Sequence, residues 1–279
     1  MSKVFIVDYN RCNGCRNCQI VCKDEYCEQP WLPYSEAQPL TGQFWMDVKE
    51  TVRGQVPWVR ISYRPTFCNH CKDAPCMAAA AAAGAPEAVY QREDGLVLID
   101  PVAAKGVHGI VEACPLNVVY WNAELELAQK CTGCAHLLDN GWKVPRCVDA
   151  CPTDALLYVE EDEVDEDRAD VLDELAGFHP RVRFYNTPRR FIAGTVFDSA
   201  LDEVVIGAQV CLLDASGTTV AELATDDMGD FKFDQIEKGV YRVSINNGRK
   251  TLPADVTTLD LSLGDIDITS YRSHSMSLP

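Results

Sequence analysis

The chain of 279 residues carries 42 acidic against 25 basic side chains, a formal net charge of −17, together with 14 cysteines. That length allows two domains, each with a core of its own, and the charge repels polyanions, which argues against nucleic acid and anionic lipid as partners. No apolar run approaches the ~18 residues that span a bilayer, so no membrane anchor is expected in this chain.

The opening stretch MSKVFIVDYNRC has neither a secretory nor a twin-arginine pattern, so a cytoplasmic chain is expected, with export beside a signal-bearing partner left open. All the cysteines except Cys211 fall between Cys12 and Cys151. Disulfide frameworks belong to small secreted domains, whereas tight C-x2-C spacing without a signal points to thiolates that hold metal.

The first run, CNGCRNCQIVC, places Cys12, Cys15, Cys18 and Cys22 at the C-x2-C-x2-C-x3-C spacing of a ferredoxin motif. In two-cluster ferredoxins three thiolates of such a run hold one cubane and the fourth serves a neighbouring cluster. The second run, CNHCKDAPC, supplies Cys68, Cys71 and Cys76, but the place of its fourth ligand is Ala80, inside an alanine tract. Further on, GIVEACPLNVVYW carries a lone Cys114-Pro115 with Ala104, Val107 and Ile110 where upstream partners would stand. The last run, CTGCAHLLDNGWKVPRCVDACP, repeats the motif with an insertion, giving Cys131, Cys134, Cys147 and Cys151.

Exchange of fourth ligands between paired runs assigns one [4Fe-4S] cluster to Cys12, Cys15, Cys18 and Cys151, and a second to Cys22, Cys131, Cys134 and Cys147. The same exchange joins Cys68, Cys71 and Cys76 to Cys114 in a third. A fourth site would have used positions 80, 104, 107 and 110, all apolar here. Three clusters on twelve thiolates are therefore expected, roughly twelve iron atoms. Structural zinc is the bland alternative, although zinc sites usually combine two C-x2-C pairs. Cys27 and Cys211 are left over and are read as small buried hydrophobes.

Other side chains in these stretches have two readings. His70 and His136 sit in cluster loops, where a ring N–H could face sulfur, or could simply bond backbone or water. Tyr120 and Trp121 either shield the third cluster or hold a strand as core aromatics. The acidic run 159–175 reads as a solvated helix face, with Val164, Val171, Leu172 and Leu175 as a weak stripe. No Ser/His/Asp set, phosphate-binding glycine loop or H-E-x-x-H helix occurs, so no organic active site is expected on this chain.

The stretch HPRVRFYNTPRRF, residues 179 to 191, has two prolines and reads as an extended join. Beyond it, alternating apolar and polar runs broken at Ser216-Gly217, Met228-Gly229, Lys238-Gly239 and Asn247-Gly248 predict about seven strands of a small sandwich. The expected fold class is α+β: a double ferredoxin-like iron–sulfur domain over 1–190, then an all-β, Ig-like sandwich over 191–279. The pattern G-x-V, A-x-V, T-D-x-x-G-x-F-x-F and G-x-Y-x-V resembles carboxypeptidase regulatory-like or transthyretin-like modules, which implies packing or adhesion and no chemistry.

With its cysteine runs, the first part of the chain resembles the iron–sulfur subunits of the dimethyl sulfoxide reductase family of molybdenum enzymes. YRPTFCNHCKDAPC, AVYQREDGLVLIDP, VVYWN, AQKCTGCAHLLDNG and GDFKFD are similar to the pyrogallol–phloroglucinol transhydroxylase branch, which also has three clusters and a C-terminal β-domain. The resemblance implies a large catalytic partner with a molybdenum or tungsten bis-pterin guanine dinucleotide cofactor, nearest to the cluster of Cys12, Cys15, Cys18 and Cys151. The active site, for an aromatic polyol whose hydroxyl is moved or removed, would then lie on that partner. Higher oligomers of the heterodimer stay open. The ending CPTDAL at 151–156 is common to ferredoxins and does not single out the branch. A reductive catechol dehydroxylase subunit, a free-standing polyferredoxin and a structural role for the clusters remain the competing readings.

Overall fold

The computed structural model describes residues 3–56, 58–246, 248–257 and 260–269. The chain forms two compact units, Met1–Thr51 with Ser62–Thr187, and Val52–Ile61 with Pro188–Pro279.

The first unit runs from β1 (Lys3–Asp8) through α1 (Asn17–Tyr26) to the hairpin strands β2 (Met46–Gln55) and β3 (Trp58–Phe67), and then to α2 (Pro75–Ala82). The pairs β4 (Val89–Gln91) with β5 (Val97–Ile99), and β6 (Val119–Asn122) with β7 (Leu127–Lys130), flank α3 (Gly109–Glu112). The short helices α4 (Ala135–Asp139) and α5 (Arg146–Asp149) precede β8 (Leu156–Glu160), β9 (Ala169–Asp170) and β10 (Val182–Tyr185). Strand β1 is an inner strand of the order β8-β1-β10-β9, antiparallel to β8 and parallel to β10. Its Val4, Phe5, Ile6 and Val7 are all buried, which explains why it reads as an unbroken apolar run instead of an alternating one.

Two expectations are corrected here. The segment 179–191 is not merely a join, because it supplies β10, whose Val182 and Phe184 are buried against β1 and its neighbours. The acidic run forms no helix face. It leaves β8, makes 3-10 turns at Glu161–Glu163, Glu166–Arg168 and Asp173–Phe178 around β9, and buries only Leu175 of its four apolar stripe residues. Like charges four residues apart on one helix repel, and short turns separate them into water.

The unit holds two apolar clusters. One gathers Phe5, Trp45, Phe67, Leu156 and Val182 with Cys18, Cys22, Cys134 and Cys147. The other gathers Val89, Ile99, Ile110 and Leu127 with Cys71 and Cys76. Among the described residues no helix is long and apolar enough to cross a membrane.

The second unit is built of β11 (Arg190–Asp198), β12 (Glu203–Val204), β13 (Gln209–Leu213), β14 (Thr219–Ala224), β15 (Asp230–Ile236), β16 (Val240–Ile245), β17 (Lys250–Asp255) and β18 (Leu261–Asp267). One sheet is ordered β12-β11-β15 with β18 on β11, and the other β14-β13-β16-β17. Alternate residues point inward: Ile192, Val196, Phe231, Phe233 and Ile266 from one sheet share a core with Val210, Leu212, Val243, Ile245 and Ala254 from the other. The hairpin tip counted with this unit brings Arg53, whose guanidinium meets both oxygens of buried Asp260 at 3.1 Å. The same carboxylate accepts the Phe191 backbone N–H at 3.0 Å.

Candidate metal centre

Three loops of the first unit present thiols by one local device. In Cys12-Asn13-Gly14-Cys15 and Cys131-Thr132-Gly133-Cys134 the third residue is left-handed, with φ of +73° at Gly14 and +65° at Gly133. A Cβ there would stand 2.6 Å from the Tyr63 ring or from Leu96, so both conformation and space require glycine. In the third loop, Cys68-Asn69-His70-Cys71, the same place is held by His70 at φ 45°.

After each loop a helix turn carries residues four apart on one side. Cys18 and Cys22 are both buried on α1, with Tyr26 the next member of that stripe. Cys147 on α5 is followed four residues later by Cys151, and α1 packs on α5. On α2 the corresponding pair is Cys76 and Ala80, and after α3 it is Ile110 and Cys114, with α2 packed on α3. Where the first pair of helices offers four thiols, the second offers two.

The electrostatic neighbours of the thiols sort them into three groups. Cys18 is pushed up to about 12 by burial and then by Cys12, Cys151 and Cys15. Cys22 and Cys147 are held well above the usual thiol range by burial and then by Cys131 and Cys134. Cys71 is pushed up to about 12 by burial and by Cys68, Cys76 and Cys114. The groups adjoin in a row: Cys18 also bears on Cys22 and Cys147, and Cys68 on Cys131. The first is the most open, with Cys15 exposed and Cys12 and Cys151 half-buried. There burial raises the Cys151 thiol, but the N–H groups of Thr153, Leu156 and Ala155 and the Thr153 hydroxyl outweigh it and lower the thiol below its usual value.

The donor sets suit a polynuclear iron group. Thiols crowded so that each raises the next stay ionised only around concentrated positive charge. Cys68, Cys71, Cys76 and Cys114 line one small cavity, together with Asn69, Lys130 and apolar side chains. The positions of an absent fourth site are filled: Ala80, Ala104 and Ile110 are fully buried in one apolar cluster and Val107 packs against it.

Around the thiols several polar side chains are buried. His70 is fully buried; its Nδ1 accepts the Val97 N–H at 3.0 Å, and its Nε2 lies 3.9 Å from the Cys131 sulfur. The backbone bond is the one the loop reading expected, and the ring's other nitrogen is turned toward sulfur. His136 does otherwise: it stacks on Trp31 at 4.3 Å, lies 3.0 Å from a Glu25 oxygen, and reaches Tyr26 at 3.4 Å. Tyr26 lies 2.7 Å from the Thr132 hydroxyl, and its hydrogen bond to Cys134 holds back the rise that burial gives that thiol. Lys130, which nothing in the sequence reading singled out, is buried beside the third group. Burial alone would lower its ammonium, but Cys68, Cys76 and Cys131 raise it. Its only signal in the sequence is its place immediately before Cys131, at the end of the buried strand Leu127–Lys130.

The remaining candidates are quieter. Trp121 packs tilted against His108 with ring centres 4.1 Å apart and the Tyr120 hydroxyl donates to the Phe44 carbonyl at 2.8 Å, so both hold β6 in place. Cys27 and Cys211 join no thiol group and are half-buried, not buried as expected, because one caps α1 and the other stands on β13 opposite Glu222.

Residues 59–161 match the 4Fe-4S dicluster domain family, and residues 192–268 match the carboxypeptidase regulatory-like domain family. The pyrogallol hydroxytransferase small subunit of Pelobacter acidigallici is 38% identical over 270 residues, which cover 93% of this chain and 96% of that one. A putative dimethyl sulfoxide reductase iron–sulfur subunit of Halobacterium salinarum is 29% identical over 241 residues, 71% of this chain and 86% of that one. The protein belongs to the iron–sulfur subunits of the dimethyl sulfoxide reductase family. One chain of the anaerobic dimethyl sulfoxide reductase of Escherichia coli K12 is 29% identical over 167 residues, 60% of this subunit and 78% of that relative. The subunit is thus an electron-transfer component of a molybdoenzyme-family oxidoreductase, and kinship with the small subunits of heteromeric enzymes implies a large catalytic partner.

Proposed function

We propose that the subunit holds three [4Fe-4S] clusters in a double ferredoxin-like arrangement: one on Cys12, Cys15, Cys18 and Cys151, one on Cys22, Cys131, Cys134 and Cys147, and one on Cys68, Cys71, Cys76 and Cys114. Its partner carries a molybdenum or tungsten bis-pterin guanine dinucleotide cofactor and transfers a hydroxyl group between aromatic polyols. The clusters set the oxidation state of that metal. The observation that carries this reading is the 38% identity to the pyrogallol hydroxytransferase small subunit, which runs through both units. The filled fourth site supports it, since a reaction with no net electron demand needs no outlet beyond the third group.

The subunit should be purified with its large partner under anoxic conditions and given pyrogallol without any reductant. Product formation supports transhydroxylation. Turnover only with a reduced dye, and on catechols, would assign the complex to reductive dehydroxylation instead. Iron and acid-labile sulfide near twelve per chain support the cluster count by cubane stoichiometry, while about eight or about sixteen would contradict it.

A further inference from the structure

Lys130 and His70 stand where the second and third thiol groups meet, and the peptide of Val97 pins both. Its N–H donates to His70 Nδ1 at 3.0 Å, and its carbonyl accepts from Lys130 Nζ. The same Nζ donates to the Cys131 carbonyl at 3.1 Å, and the Cys68 thiol is its strongest electrostatic neighbour. Two backbone carbonyls with thiols beside them suit the donor-only ammonium of a lysine. His70 is equally defined: with Nδ1 accepting, its single proton is on Nε2, facing the Cys131 sulfur at 3.9 Å. A histidine in the loop of one thiol group thus reaches a thiol of the next. It does so from a left-handed backbone that a non-glycine residue adopts only at a cost.

We propose that Lys130 and His70 form a polar bridge between the second and third thiol groups, and that the buried Lys130 ammonium biases an electron shared between them toward the third. The inference rests on the three-cluster reading above. Burial does not rank the two groups, because each has three buried thiols and one half-buried. Charge does: Lys130 lines the cavity of Cys68, Cys71, Cys76 and Cys114 and bears on Cys68 first, then Cys76, and only then Cys131. Beside Cys134 of the second group, Glu25 and Arg146 lie 3.6 Å apart and oppose each other. In the step itself one electron leaves the site of Cys22, Cys131, Cys134 and Cys147 and enters that of Cys68, Cys71, Cys76 and Cys114. The first site is oxidised, the second reduced, and no proton moves. Lys130 places a positive charge beside the site that gains the negative one, at a low local dielectric where such a charge acts strongly. With the outlet beyond it filled by Ala80, Ala104 and Ile110, the third site becomes a terminal electron store.

The test is a redox titration followed by electron paramagnetic resonance on the purified complex, wild type against K130M and K130R. Signals are assigned by their loss in C114A for the third site and C147A for the second. In K130M, iron should stay near the wild-type value while the ratio of reduced to oxidised third site at fixed potential falls about tenfold, 59 mV for a one-electron couple. The second site should move less, and K130R should stay close to wild type. A change below threefold at the third site in K130M with all clusters present would overturn the inference. Should K130M fail to assemble, the wild-type order decides: the signal lost in C114A must be reduced before the signal lost in C147A, and the reverse order refutes the bias. A wild type without three clusters, or a C114A variant that loses no signal, would instead bring down the three-cluster reading itself.

Discussion

Cys114→Ala removes the one thiol that reaches the third group from a distant part of the chain. Cys114 is half-buried, follows α3, and closes a cavity otherwise walled by Cys68, Cys71, Cys76, Lys130 and apolar side chains. One of three cubanes is at stake, so iron should fall from about twelve toward about eight per chain. The loss should stay local, because Cys114 bears on Cys71 and Cys76, thiols of its own group. The emptied site would also leave the Lys130 ammonium without the negative charge that holds it, so the variant should unfold at a lower temperature as well. The assay is iron and sulfide analysis with spectroscopy of the reduced protein, using Cys27→Ala as the control that keeps every cluster. Unchanged iron and three unchanged signals in Cys114→Ala would refute the pairing. Equal loss in the Cys27 variant would refute it from the other side.

Gly133→Ala should lower the stability of the fold by about 1–2 kcal/mol from the left-handed backbone alone, and further through the 2.6 Å approach to Leu96, seen as a lower melting temperature and reduced iron retention. Asp260→Ala should cost about 1–3 kcal/mol because it strands the buried Phe191 N–H and leaves Arg53 only the Arg189 carbonyl, which denaturant unfolding of the full chain measures. Asp139 is held below the usual carboxylate range, first by the paired Arg92 hydrogen bonds at 2.7 and 2.9 Å and then by Tyr34. That contribution is complete above pH ~4 and is lost as the pH falls through the lowered value. At so exposed a site it amounts to less than about 1 kcal/mol, so Asp139→Asn should flatten the acid limb of the pH–stability curve only slightly.

The thiol pattern was legible in the sequence because cluster loops are local. Four residues fix each C-x2-C turn, and the four-residue step from Cys18 to Cys22 is a helix turn. The β-rich unit was legible for a similar reason, since alternation and glycine turns are short-range signals. What escaped depends on tertiary partners. The segment 179–191 looks like a join until β1 is beside it, because parallel pairing leaves no mark in either strand alone. The acidic run has a helical stripe on paper, yet only Leu175 finds a core. Lys130 looks like any surface lysine, and its burial becomes visible only when Val97 and Cys68 close over it. Nor does any feature of the sequence mark the tip Val52–Ile61 as part of the second unit.

On the three-cluster reading proposed above, the apolar residues at 80, 104, 107 and 110 stand in place of one whole centre and leave its neighbour intact. Each helix pair carries residues four apart, and the two members of a pair face different sites. Cys76 faces the third group while Ala80 faces the filled one, and Ile110 and Cys114 divide the same way in reverse order. A single replacement at position 80 or 110 would have left three thiols around a group that needs four. Replacing every ligand of one site avoids that half-satisfied state and converts the space into core, where Ala80, Ala104 and Ile110 are now fully sealed. The third thiol group keeps all four of its members because none of them belonged to the lost site. On the three-cluster reading proposed above, the row that begins at exposed Cys15 ends against the packed hydrocarbon of Ala80, Ala104 and Ile110.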